Sequence, residues 1–172
     1  MEDRPSVGMC ADRDFGVHLA GDDGIASGVL PIAQSTARVC LALRSRHVHC
    51  GRCWGTIGGS SLTNLGPAEN AERELREETG YAGLLRLFDA FVFRDNNFTY
   101  YNYIGLVPNE FPLLPNDAYR HETDKLVWIG LPTLEAAIGQ RERLHLFHFG
   151  LVELLRHSYD LVERIMKEYC QR

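Results

Sequence analysis

The chain has 172 residues, 45% hydrophobic and 24% charged, with a formal net charge of −5. This is an ordinary globular composition, long enough to enclose a sizeable core. The acidic balance and the lack of a long basic run make nucleic acid an unlikely partner, since phosphate contacts need clustered Lys and Arg, and no apolar run approaches the length of a membrane span.

Residues 1–24 are polar and rich in Gly and Asp, and read as an N-terminal arm or a loose edge strand. They lack the basic start and apolar middle of a signal peptide, so the cytoplasm is the expected compartment. Five cysteines without a repeating framework agree with a reducing environment. Ala26 to Ala33 and Arg38 to Arg44 are apolar segments around a four-residue turn, and predict two strands. Pro31 inside the first predicts an edge position or a bulge. Next comes a loop with His47, His49, Cys50 and Cys53. These offer four N or S ligands, but a single short CxxC without a second distant pair is a weak zinc signal, and they read as loop residues.

Trp54 to Ile57 is short and apolar and leads to Gly58-Gly59. Pro67 fits the first turn of a helix, and Gly80 fits its end, so a helix is expected over Pro67 to Thr79. Leu84 to Arg94 and Phe98 to Val107 predict strands around Asp95-Asn96-Asn97. Residues 108–121 form a long loop, Lys125 to Ile129 a strand, and Leu131 to Ile138 a short helix. Residues 147–170 show apolar spacing for a C-terminal helix. The order predicts a mixed α/β or α+β domain spanning residues 1–172.

The chemistry concentrates between Gly58 and Tyr81. Glu74, Glu77 and Glu78 stand at i, i+3 and i+4, hence on one helical face, while Ala68, Ala71 and Leu75 occupy the neighbouring, core-facing arc. Arg73 and Arg76 are expected to point elsewhere. Like charges on one face repel unless a cation joins them, and hard cations such as Mg²⁺ or Mn²⁺ take carboxylate oxygens and bridge them to substrate phosphates. The plain alternative is a solvated amphipathic helix with surface Glu–Arg pairs. Arg44 and Arg46 end the second strand within possible reach of a phosphate. Trp54 and Tyr101, like Phe98, Tyr100 and Tyr103, are aromatic enough to stack a base, although strand aromatics more often pack.

The stretch resembles the Nudix hydrolase signature, G-x5-E-x7-R-E-U-x-E-E-x-G-U with U apolar. Gly59, Arg73, Glu74, Leu75, Glu77, Glu78 and Gly80 fall on its positions, and Tyr81 fills the last one less strictly. The resemblance implies an α/β/α sandwich with a mixed sheet and a loop-helix-loop metal site. It implies Mg²⁺- or Mn²⁺-dependent hydrolysis of a nucleoside diphosphate linked to another group, a small-molecule nucleotide as substrate, and a homodimer as in many relatives. Glu74, Glu77, Glu78 and a backbone carbonyl of Gly58 or Gly59 would then hold the metal. Glu77, Glu78 and a later acid, Glu122 with Asp124 in reserve, would serve catalysis. One position departs: Leu65 stands where the signature has its first Glu, which usually pairs with the signature Arg. Arg73 must find another partner, for which Glu69 is the candidate. The departure also keeps open a nucleotide-binding or sensing module with weakened catalysis. Removal of an RNA cap is a third reading, disfavoured by the acidic balance. No marker for a particular nucleotide substrate stands out.

Overall fold

The computed structural model describes residues 24–48, 50–62, 64–95, 97–114 and 122–170. The expected N-terminal arm, His49, and residues 115–121 of the loop before Glu122 lie outside the described residues. Seven strands form one mixed sheet: β1 (Gly24–Ala33), β2 (Arg38–Arg44), β3 (Trp54–Gly55), β4 (Ile57–Ser60), β5 (Arg86–Asp95), β6 (Phe98–Val107) and β7 (Thr123–Gly130). Helix α1 (Pro67–Thr79) follows β4, α2 (Leu131–Ile138) follows β7, and α3 (Phe149–Tyr169) ends the chain. A 3₁₀ segment at Arg141–Leu146, not expected from the sequence, leads into α3.

The spine of the sheet runs β3-β2-β1-β6-β5, with β4 also on β1 and β7 also on β2. β1 and β6 are parallel over their whole length, and the remaining pairs are antiparallel. Alternation along the central strands feeds two cores. Leu30, Ile32, Ile104 and Leu106 pack with α2 and α3, while Val29, Ala33, Tyr103 and Val107 pack with Ala71 and Leu75 of α1. The result is the helix–sheet–helix sandwich. Burying Leu75 completely contributes about 2 kcal/mol, which ties the acidic helix to the sheet.

Two expectations need correction. Pro31 lies in the central strand, neither at an edge nor in a bulge. β4 pairs with Ala26 to Val29 and β2 with Ile32 and Ala33, so Pro31 falls in the gap where β1 changes partner and no ladder donor is lost there. Ala68 is exposed, because burial of α1 starts only at Asn70 in its second turn.

Candidate active site

Helix α1 is placed by local chemistry at both ends. Pro67 occupies its first turn, and the Glu69 carboxylate accepts from the Gly66 N–H at 3.0 Å. Gly80 closes it in the left-handed region, φ 72°, with its N–H on the Arg76 carbonyl. The helix lies against β1 and β4, so one face looks at the Gly58-Gly59 strand. That face carries Asn70, Glu74 and Glu78, all buried.

Each carboxylate on this wall is held. Glu78 takes the Gly58 N–H on Oε1 at 3.2 Å and the Thr123 hydroxyl on Oε2 at 2.7 Å. Arg73 donates through Nη1 to Glu77 and through Nη2 to Glu74, with the Ser60 carbonyl and Asn70 Oδ1 as further acceptors. This cation offsets the crowding of three acids on one helix. Gly59 approaches Glu74 so closely that a Cβ there would lie 2.9 Å from the carboxylate, and a Cβ at Gly58 would lie 2.3 Å from the Ser27 carbonyl. Position 58, blocked by backbone, therefore needs glycine, whereas at position 59 the Glu74 carboxylate would have to shift.

Arg44, Val48 and Glu122 complete the lining of the cleft, which has a volume of about 340 Å³. Oxygen atoms of Glu74, Glu78 and Glu122 lie within 4.8 Å of one another, the one group among the described residues able to gather around a metal ion. Burial pushes the Glu74 carboxyl up to about 7; Arg73 opposes the rise, and Glu122 and Glu77 add to it. Burial likewise pushes Glu78 up to about 7, against the Thr123 hydrogen bond and Arg44, with Glu74 and Glu122 adding to the rise. Behind Gly58, burial pushes the Tyr100 hydroxyl, hydrogen-bonded with Thr56, up to about 12.

The cleft thus sets four carboxylates against two guanidinium groups. Left alone it would repel a phosphate. Hard oxygen donors, clustered and raised toward neutrality by burial and by one another, fit a divalent cation that discharges them and supplies positive charge to an anionic ligand.

Of the residues singled out from the sequence, Gly58, Gly59, Arg73, Glu74, Glu77, Glu78, Arg44 and Glu122 line this cleft. Others stand elsewhere. Glu69 caps the helix start and does not pair with Arg73, whose partners are the site's own carboxylates, Asn70 and Ser60; so Arg73 points into the cleft, contrary to expectation. Arg46 is exposed and donates to His47. Trp54 packs on the larger core, its carbonyl accepting from the His148 N–H. Tyr101 packs on the smaller core beneath Arg94. Asp124 faces Arg52 at 3.4 Å. Cys53 donates to the His145 carbonyl, and His47, Cys50 and Cys53 join no metal-capable group among the described residues. Asn70 and Thr123 were not anticipated. The available signals were an asparagine inside a helix, where it is disfavoured, and a threonine next to the candidate acid.

A sequence profile of the NUDIX domain matches residues 23–155. No curated protein sequence matches the chain. Among solved structures, the chain is similar to a Nudix hydrolase from M. smegmatis, RenU, at 19% identity and TM-score 0.65, over 87% of this chain and 89% of that one. It is similar to DR0079 from Deinococcus radiodurans at 16% identity and TM-score 0.62, over 79% and 83%. The E. coli dihydroneopterin triphosphate pyrophosphohydrolase matches at 20% identity and TM-score 0.52, over 75% and 95%. At these identities the likeness is one of fold.

Proposed function

We propose, from the premise that the chain belongs to the Nudix family of hydrolases acting on pyrophosphate bonds, that it is a divalent-metal-dependent enzyme cleaving a nucleoside diphosphate joined to another group. The observation that carries this reading is the convergence of Glu74, Glu78 and Glu122 on a cleft floored by Gly58 and Gly59. A nucleoside triphosphate or a nucleotide-sugar-like compound is the substrate class.

Glu74, Glu78 and Glu122, with the Gly59 carbonyl beside them, would hold Mg²⁺ or Mn²⁺, and Glu77 completes the acidic wall. The cation, when bound, neutralises phosphate oxygens and makes an attacking water more acidic. The chain's own groups do the rest. Arg44 lines the same cleft and would meet a phosphate oxygen. Arg73 binds Glu77 and Glu74 through separate nitrogens and would hold both oriented. Glu122, Glu77 and Glu78 are the groups available to orient water and accept its proton. Water adds to one phosphorus, the P–O–P bridge breaks on the other side, and a nucleoside monophosphate leaves with a phosphorylated remainder.

The two cores share one sheet, which supports reading the chain as a single domain. No helix among the described residues is long and apolar enough to cross a membrane. Free Cys40, Cys50, Cys53 and Cys170 suit the reducing cytoplasm.

The test is a panel of nucleoside triphosphates and nucleotide sugars incubated with Mg²⁺, then with Mn²⁺, and separated by ion-exchange chromatography. A nucleoside monophosphate plus pyrophosphate or a sugar phosphate, formed only with metal, is expected. Tight nucleotide binding without any product would instead favour a sensing module, the reading that Leu65 motivates.

A further inference from the structure

Asn70 has no exposed surface, yet it sits inside a helix, where asparagine is a poor former and a buried amide is costly without partners. Its amide is fully used. Nδ2 donates to Ser27 Oγ on β1 at 2.9 Å and to the Gly59 carbonyl on β4 at 3.3 Å. Oδ1 accepts from Arg73 Nη2 at 2.8 Å. Arg73 Nε is buried and has no partner, so the guanidinium is oriented through its Nη atoms alone. Those atoms hold Glu74 and Glu77, and among their acceptors Asn70 is the one neutral side chain. Leu65, on the loop entering the helix, contributes no polar group to Arg73.

We infer that Asn70 is a positioning residue for the acidic cleft: its amide fixes the Gly59 carbonyl and the Arg73 guanidinium together, and through them sets where Glu74 and Glu77 stand. This rests on the cleft being a cation site. One side chain thereby couples a main-chain oxygen of β4 to two carboxylates of α1. Loss of a group that orients metal ligands commonly costs about 10- to 100-fold in metal affinity. Asn70 also staples α1 to the sheet through Ser27, and the two roles are separable. Ser27→Ala removes the staple and leaves the bonds to Gly59 and Arg73.

The experiment is titration of the full chain with Mn²⁺ alone, read by electron paramagnetic resonance, beside thermal unfolding of each variant. Asn70→Leu keeps the branched shape and removes every bond of the amide; it should weaken Mn²⁺ binding at least about tenfold. Ser27→Ala should change it by less than about threefold, even where its melting temperature falls comparably. Should Asn70→Leu not fold, Asn70→Ala is read by the same criterion. Native Mn²⁺ affinity in the Asn70 variant, or an equal loss in Ser27→Ala, overturns the inference. Failure of the unsubstituted chain to bind Mn²⁺ overturns the cleft reading itself, whereas binding that Glu78→Gln loses and the Asn70 variant keeps overturns only the role of Asn70.

Discussion

The Thr123 hydroxyl donates to Glu78 Oε2 at 2.7 Å, joining the first residue of β7 to the last turn of α1 across 45 positions of sequence. The other Glu78 oxygen takes the Gly58 N–H, so this carboxylate is fixed from both sides of the cleft. Because Thr123 follows Glu122 directly, the same bond keeps the loop acid beside the helix acids. Thr123 lowers a carboxyl that burial otherwise raises. Thr123→Val should therefore move the pH of half-maximal Mn²⁺ binding upward by about half to one unit. Mn²⁺ titrations at several pH values check this, and an unmoved midpoint contradicts it.

The metal-free protein should be more stable in mild acid than in mild base. Glu74 and Glu78 each have a folded-state pKa near 7, raised from 4.5. The folded state thus holds protons that the unfolded chain has released, and the slope of stability with pH is negative between about 4.5 and 7. The benefit is complete below the unfolded value and lost as pH rises through 7. On this account the metal-free melting temperature falls by about 3–6 °C between pH 6 and pH 8. Saturating Mn²⁺ should erase the fall, because the bound cation favours the ionised carboxylates.

Glu78→Gln should separate activity from stability. Removing a buried carboxylate that electrostatics disfavours should raise the metal-free melting temperature at pH 8 by about 2–4 °C. The same change should cut metal-dependent turnover about 100-fold or more. Glu77→Gln should also abolish most turnover while keeping the fold. Rates of monophosphate release, measured beside calorimetric melting, decide both cases.

Gly59→Ala tests the close approach of strand and helix. The added methyl would press on the Glu74 carboxylate, and one or the other must move. A loss of about 1–3 kcal/mol in stability is expected, with weakened Mn²⁺ binding. Chemical denaturation and metal titration of the variant supply the two readings.

Much of this was legible in the sequence. Helix α1 was readable to both ends because Pro67 and Gly80 have one physical use at those places, and the spacing of Glu74, Glu77 and Glu78 announced the acidic wall. Glu122 was legible as the later acid, with Asp124 in reserve, through the family resemblance rather than from a spacing of its own. What the sequence concealed depends on non-local contact. Glu69 is one turn from Arg73, yet the helix start claims it, because an unpaired N–H there is the nearer need. Trp54 and Tyr101 have the rings to stack a base, but the sheet turns them onto the two cores. Asn70 shows no motif, and its value appears only when β1, β4 and Arg73 surround it. Pro31 looked like an edge signal, since the exchange of strand partners along β1 cannot be read from one segment.

The central claim is that side chains 74, 78 and 122 share one divalent ion. Crystals grown with Mn²⁺ and measured at its absorption edge test it most directly. The account predicts an anomalous peak within coordination distance of an oxygen from each of Glu74, Glu78 and Glu122. A cleft without such a peak at saturating Mn²⁺, with the three carboxylates turned to solvent, would contradict it.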